Sequence, residues 1–159
     1  MQKKDLINYL RGIILGFAVF GGAVYSIVLP ALGRMMAESL PYFAAYYPAW
    51  LIFICLTAIP CFAVLFYAWK VTEEMKIKTA FTEKTASHFK KMSYWALGDT
   101  LFFAMGNLVF FLLKGLGIVY FFASLVAVFM GFAVMVSTAA LSHLAHEAAV
   151  LHEQSELTI

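Results

Sequence analysis

Four long apolar runs constrain the fold of this chain more than any other feature of its sequence. They cover about residues 12–32, 49–69, 93–113 and 117–141, and short polar segments separate them. A helix that rises about 1.5 Å per residue needs roughly 20 apolar residues to cross the hydrocarbon core of a bilayer, and each run supplies them. The pattern predicts an all-α fold, an integral membrane four-helix bundle in which residues 1–159 form a single transmembrane domain.

The composition excludes an ordinary soluble domain. Hydrophobic residues make up 64% of the chain, whereas a soluble domain contains roughly 45–50%. The first run is longer than the apolar part of a secretory signal, and no small-residue cleavage site follows it. We therefore expect this run to remain as the first span.

The positions of the basic residues predict the orientation of the chain in the membrane. Nine of the eleven Lys and Arg residues precede the first run or lie between the second and third runs, and the other two are Arg34 and Lys114. The positive-inside rule then predicts cytoplasmic amino and carboxyl termini. Because topology accounts for the net charge of +2, we predict no direct binding of nucleic acid, and anionic membrane lipids are the expected counter-charge.

Two cytoplasmic helical segments are predicted beside the membrane. Thr82 has the side chain of a helix N-cap, and Glu83 complements the helix dipole in the first turn, so a short helix should run into span three. The segment after Leu141 is polar but rich in alanine, so span four should continue as a helix. Within this extension an apolar stripe (Leu141, Leu144, Ala148 and Leu151) recurs at three- and four-residue intervals. Its expected partner is either the short helix, through Phe89 and Met92, or a second protein.

Small and aromatic residues predict two further packing features. Gly12, Gly16, Gly21 and Gly22 indicate that one face of span one packs closely inside the bundle. The outer connection, residues 33–48, is rich in Tyr and Phe and should lie at the membrane surface. Pro41 and Pro48 should interrupt any helix in it.

Polar residues inside the predicted spans are the first candidates for a functional site. Asp99 lies one helical turn inside Trp95, where a carboxylate is costly. We expect it to form a clamp with Arg11 or with a Ser or Thr. The alternatives are a site for ions, protons or a ligand, and a carboxylate that only snorkels to the interface. Asn107 lies near mid-membrane, and we expect a hydrogen bond to Thr57 or Ser124, with pore lining as the alternative.

Histidines crowd the cytoplasmic end. His143, His146 and Glu147 have i, i+3 and i+4 spacing and share one helical face, whereas His152 points away. We expect a solvated face, with a pH-sensitive contact or a metal ion as alternatives, because zinc in a closed structural site usually needs four ligands. The sequence shows no nucleophile with an adjacent base and no glycine-rich phosphate loop, so we predict neither an enzyme nor a cofactor.

Several short motifs resemble those of a known family. They are Ala58-Ile59-Pro60 in span two, Phe81-Thr82-Glu83 and the segment FKKMSY (residues 89–94) before span three, and Glu156-Leu157-Thr158-Ile159 at the end. In this order they resemble the bacterial membrane family catalogued as domain of unknown function 2975. The resemblance implies a four-span protein of the bacterial inner (cytoplasmic) membrane with undefined biochemistry. It also implies a partner, because members are often encoded beside a small Cro-like helix-turn-helix regulator.

The functional hypothesis is a sensor or sequestering partner for a cytoplasmic helix-turn-helix transcriptional regulator. The predicted partner surface combines the short helix and the tail, through Phe81, Phe89, Lys90, Lys91, His143, Leu144, His146, Leu151 and Leu157. One alternative is an oligomeric unit that transports or conducts small molecules or ions past Asp99 and Asn107. Another is a bundle that binds lipid or a hydrophobic ligand. The sequence also leaves a homo-oligomer open.

Overall fold

The computed structural model describes residues 3–77, 82–113 and 117–157, and every element in this part of the chain is helical. The elements are α1 (Lys3–Ala23), a π-helical segment (Val24–Val28), α2 (Leu29–Ser39), α3 (Pro41–Ile77), α4 (Glu83–Leu112) and α5 (Ile118–Leu157). Within these residues, four stretches of helix are long and apolar enough to cross a membrane: Lys4–Ser39, Pro41–Lys76, Glu83–Leu112 and Ile118–Leu151. The predicted all-α architecture with four spans is confirmed. Phe81, part of the predicted partner surface, lies outside the described residues.

The first two helices and the π-helical segment form one uninterrupted rod. The residues at its junctions, Ala23, Val28 and Leu29, keep right-handed helical backbone angles. Pro30 explains the local widening, because proline has no N–H to donate to the carbonyl four residues earlier and its ring crowds that carbonyl. The widened turn contains Tyr25, whose side chain takes part in the cleft described below.

A sharp turn at Leu40 joins α2 to α3. Leu40 has extended backbone angles (φ −125°, ψ 98°), as expected for a residue before proline, and Pro41 then begins α3. The prediction that both prolines interrupt the outer connection is right for Pro41 and wrong for Pro48, because α3 continues through Pro48 and Pro60. Proline removes a single helical hydrogen bond, and packing against neighbouring helices compensates for that loss inside a bundle.

The outer connection is therefore helical and packed. Phe43 of this connection belongs to a cluster of buried side chains from α2, α3 and α4, against which Tyr46 and Tyr47 pack. The cluster consists of Met36, Phe43, Trp50, Phe53, Ile54 and Phe110. Phe43 is fully buried, and its ring meets that of Trp50 edge to face with centroids 5.6 Å apart. This cluster packs α2, α3 and α4 together near the turn between α2 and α3.

The predicted extensions of spans three and four are both confirmed. Thr82 has an extended backbone, and its Oγ1 accepts a hydrogen bond from the Thr85 N–H at 3.2 Å, which is the N-cap geometry expected from the sequence. From there α4 runs without a break to Leu112. The 40 residues of α5 make a helix about 60 Å long, roughly twice the thickness of the hydrocarbon core.

The helices pack as neighbours in chain order, and one side of the bundle is open. α1 and α2 pack on α3, α3 packs on α4, and α4 packs on α5. Among the residues that the structure describes, no Cα atom of α1 comes within 8 Å of a Cα atom of α5. A cleft therefore separates the first span from the last.

Three glycines permit close helix crossings, and at Gly33 of α2 a Cβ atom would collide with the Trp50 and Tyr47 rings of α3. A Cβ atom on Gly106 would collide with the Phe53 ring of α3, and one on Gly131 would collide with Thr100 of α4. The predicted small-residue packing of span one is wrong, because Cβ atoms at Gly12, Gly16 and Gly22 would all meet open space. The first span has α3 as its neighbour on one side only, so most of its glycine face lies away from the bundle.

Candidate functional site

The cleft between α1 and α5 contains the most distinctive polar group of the membrane region. α3 and α4 form its floor, and it divides into two compartments. The outer compartment has a volume of about 320 Å³ and includes Tyr25, Thr57, Asn107 and Ser124 in its walls. The inner compartment has a volume of about 520 Å³ and is almost entirely apolar, with walls that include Phe17, Phe20, Val24, Leu65, Met130 and Val134.

Asp99 lies where the two compartments meet. Together with Thr100 and Gly131 it lines both of them. Its Oδ1 atom is buried and has no hydrogen-bond partner among the described residues. A buried carboxylate oxygen without a donor is unfavourable, so the Asp99 carboxylate favours a cationic partner that reaches it from the cleft.

The predicted clamp between Asp99 and Arg11 is wrong. Arg11 Nε donates to Thr72 Oγ1 at 3.1 Å, and its guanidinium lies 4.6 Å from the centre of the Trp69 ring. The guanidinium is thus held by α3, through stacking and a hydrogen bond to a threonine that is itself only 2% exposed. The hydroxyl neighbour Thr100 does not supply the clamp either, because its Oγ1 donates to the Ala96 carbonyl oxygen at 2.7 Å.

Asn107 does not form the predicted bond to Thr57 or Ser124. Its Nδ2 donates to the Phe103 carbonyl oxygen in its own helix at 2.8 Å, and Ser124 Oγ likewise donates to Phe121 at 2.7 Å. Such local bonds satisfy polar side chains in a helix without a partner from another span. The outer compartment therefore contains an asparagine and a serine that each donate a hydrogen bond to a backbone carbonyl of their own helix.

A hydrogen bond between the first and second spans crosses the outer compartment. The Tyr25 hydroxyl lies 3.1 Å from Thr57 Oγ1, and Thr57 Oγ1 donates to the Ile54 carbonyl oxygen at 2.7 Å. Tyr25 therefore donates to Thr57, because the threonine proton is already used. Tyr25 is not among the site residues predicted from the sequence. The feature that could have pointed to it is Pro30, because a proline widens the helical turn before it.

A second candidate region lies at the lysine-rich end, by which we mean the start of α1, the end of α3, the start of α4 and the end of α5. There α4 and α5 are joined by side-chain hydrogen bonds: Ser142 Oγ donates to the Ala86 carbonyl oxygen at 2.9 Å, and Ser93 Oγ donates to that of Met135 at 3.2 Å. Ala145 is fully buried in the same contact. Small residues of α5 therefore face α4.

The apolar stripe of α5 does not pack on Phe89 and Met92 as predicted. Leu144 and Leu151 are 57% and 66% exposed, and Leu141 is exposed as well. The face with Thr138, Ser142 and Ala145 packs on α4 instead, because small side chains allow the backbones to approach closely. The leucines remain on the outside of the hairpin. Lys90 and Lys91 are exposed on α4, Phe89 is half-buried, and Leu157 is the last residue of α5.

His143 and His146 of α5 form separate pairs. His143 Nε2 lies 3.3 Å from Glu147 Oε1, and His146 Nδ1 lies 3.0 Å from Glu83 Oε1 of α4. Within residues 3–77, 82–113 and 117–157, no three His, Cys, Asp or Glu side chains are grouped to hold a metal ion. The pair of His146 with Glu83 instead links the two helices beside a groove of about 640 Å³, whose walls include Ser87, Lys90 and Tyr94.

Comparison with known proteins places the chain in a family. Residues 31–159 match the sequence profile of the family described as "Protein of unknown function (DUF2975)". The chain belongs to this family. It is also similar to the uncharacterized membrane protein YoaS of Bacillus subtilis (strain 168), with 28% identity over 153 residues that cover 92% of each chain. No solved structure matches the chain.

Membership of DUF2975 agrees with the resemblance inferred from the sequence motifs. The matched region begins within α2 and includes α3, α4 and α5, so it contains Asp99 and most of the cleft floor. The chain is thus a small multi-pass membrane protein of a family whose function is unknown.

Proposed function

We propose that this protein is a sensor or sequestering partner for a cytoplasmic helix-turn-helix regulator, and that it acts in the bacterial inner membrane by binding and not by catalysis. The observation that carries the proposal is the exposed leucine face of α5. Leu144 and Leu151 are exposed and are spaced by seven residues, which places them on one side of the helix. An exposed apolar face beyond the membrane is a typical protein-binding surface.

The opposite side of α5 supports the same proposal. Ala145 is buried against α4, and Ser142 is hydrogen-bonded to it. The leucine face is therefore held outward by the packing of the hairpin. Exposed Lys90 and Lys91 on α4 add positive charge to this end of the molecule, and charge near a docking surface speeds the encounter with an acidic partner.

The continuity of the helices provides a route for a signal. α4 and α5 each run without a break from the lysine-rich end into the membrane. A displacement of either span would therefore move the surface that carries Leu144, Leu151 and Lys90. Sensing by this route requires two discrete arrangements of the hairpin, which a ligand or a membrane stimulus would favour differently.

The experiment is a binding measurement with the intact protein in lipid nanodiscs. The partner is the purified helix-turn-helix regulator encoded nearest to the gene. We expect Leu144→Glu and Leu151→Glu each to weaken binding about ten-fold or more, as the loss of an apolar anchor at an interface does. The matched control is Met35→Glu, because Met35 is an equally exposed apolar residue (67%) on α2 at the opposite end.

Two results would contradict the proposal. The first is that the unmodified protein does not bind the regulator. The second is that Leu144→Glu and Leu151→Glu bind as well as the Met35→Glu control. In the second case the effect would not depend on the leucine face.

A further inference from the structure

The cleft between α1 and α5 has the composition of a ligand site inside the membrane. Both compartments fall in the volume range of small-molecule sites, and their walls are mainly apolar with a few polar groups. Small-molecule sites in proteins usually have walls of this composition. Because α1 and α5 are separated, the cleft opens toward the surrounding lipid. A molecule dissolved in the bilayer can reach it without passing through water.

The unpartnered carboxylate oxygen identifies the chemistry of the ligand. The neighbouring polar groups of the cleft, Thr57, Thr100, Asn107 and Ser124, all donate to carbonyl oxygens of their own helices. Asp99 Oδ1 has no such bond. A carboxylate oxygen accepts hydrogen bonds, so the missing partner is a donor, and a cationic donor gives the strongest bond.

No basic side chain in the described part of the chain bonds to Asp99 Oδ1. Arg11, the basic residue closest in predicted depth, is bonded to Thr72 and stacked on Trp69. Lys70, near the same end, pairs with Glu73 at 3.2 Å. A metal ion is a poor match because it needs several oxygen ligands, and Asp99 is a single carboxylate.

The walls next to Asp99 determine the rest of the ligand. The inner compartment presents aromatic and aliphatic side chains, among them Phe17, Phe20 and Val134. Such walls favour hydrocarbon and disfavour an ion with a full hydration shell. The ligand must therefore combine one positive charge with an apolar body.

We propose that the cleft binds an amine-bearing amphiphile, whose ammonium group donates a hydrogen bond to the Asp99 carboxylate and whose hydrocarbon portion fills the inner compartment. The same chemistry occurs in free lipophilic amines and in aminophospholipids of the bilayer. The site is separate from the leucine face of α5, so this proposal and the proposed regulator binding fail independently of each other.

The test measures retention of dodecylamine by the full-length protein, released from maltoside micelles for native mass spectrometry. We expect Asp99→Asn to retain about ten-fold less dodecylamine than the unmodified protein, because a charge-assisted hydrogen bond is lost. Glu38→Gln is the matched control, since it removes an exposed acidic group of α2 outside the cleft. Dodecanol should be retained equally by the unmodified protein and by both variants, which also shows that the cleft of Asp99→Asn is intact.

A second variant tests the position of the hydrocarbon portion. Val134→Trp fills the inner compartment and leaves Asp99 unchanged, so it should reduce the retention of dodecylamine and of dodecanol alike. The proposal is overturned if the unmodified protein retains no dodecylamine, if Asp99→Asn retains as much as the unmodified protein, or if Val134→Trp has no effect.

A competition experiment then distinguishes the two sources of the amine. The protein is placed in nanodiscs of phosphatidylcholine and phosphatidylglycerol, with or without phosphatidylethanolamine, and retained dodecylamine is measured. Displacement by phosphatidylethanolamine supports a bilayer aminophospholipid as the ligand. Undiminished retention supports a free lipophilic amine.

Discussion

At the scale of single residues, hydrogen-bond partners distinguish Asp99 from the hydroxyl and amide side chains around it in the cleft. Thr57, Thr100, Asn107 and Ser124 are satisfied by backbone carbonyls within one turn of their own helices. Asp99 cannot be satisfied in this way, because a carboxylate donates no proton to a carbonyl oxygen. Its residue type alone therefore sets Asp99 apart from the other polar groups of the cleft.

The N-cap of α4 gives a residue-scale prediction. Thr82→Ala removes the oxygen that accepts the Thr85 N–H at 3.2 Å, so we expect the free energy of unfolding to fall by about 1 kcal/mol. Unfolding of the protein in maltoside micelles by added dodecyl sulfate, followed by circular dichroism, measures the change. Thr82→Ser keeps the acceptor and serves as the control. A Ser variant as unstable as the Ala variant would contradict the capping role.

At the scale of helices, the sequence predicted where elements run better than it predicted which faces meet. The helical continuation of α5 past the fourth apolar run follows from its alanine content, and the structure confirms it. The choice of contact face does not follow from the leucine stripe. Ala145 and Ser142 lie against α4, whereas Leu144 and Leu151 point outward. Small residues allow the two backbones to approach closely, which stabilises the contact between α4 and α5. The leucines need not be buried in this contact, because lipid or a partner can cover them.

Glycine positions give the prediction at this scale. A Cβ atom on Gly131 would collide with Thr100, whereas one on Gly16 would meet open space. Gly131→Ala should therefore lower the free energy of unfolding by about 1–3 kcal/mol, as overpacking does. Gly16→Ala should leave it unchanged or raise it by up to about 1 kcal/mol, because alanine favours the helix. The dodecyl sulfate titration compares the two, and equal effects would show that the crossing of α4 and α5 tolerates a Cβ atom at Gly131.

At the scale of the whole molecule, the order of packing produces the cleft. Each span packs on the spans that precede and follow it in the chain. Among the described residues the first and last spans do not meet, so the bundle is open between them. The cleft is therefore a property of the connectivity as much as of the residues that line it. Its location between α1 and α5 allows a molecule from the bilayer to reach Asp99 from the side.

The orientation of the molecule gives the prediction at this largest scale. Because basic residues concentrate at one end, we expect both termini to be cytoplasmic. In a chain with Cys55 and Cys61 replaced by alanine, a membrane-impermeant maleimide should label Ser39→Cys in intact spheroplasts. It should label Glu153→Cys only after the membrane is permeabilised. Both positions are exposed in the structure. The opposite labelling pattern would reverse the topology and place the leucine face of α5 outside the cell.

The amino-acid pattern was sufficient to establish the number of spans, their approximate limits, the N-cap at Thr82 and the family of the chain. These features depend on hydropathy, on local backbone chemistry and on short motifs, all of which are read along one stretch of chain. The partner of Arg11, the open side of the bundle and the isolation of Asp99 Oδ1 became visible only in three dimensions. Each of these features depends on which helices are neighbours and on how each helix is rotated about its axis. Inside a membrane the hydropathy is nearly uniform around a helix, so the sequence carries little information about neighbours or rotation.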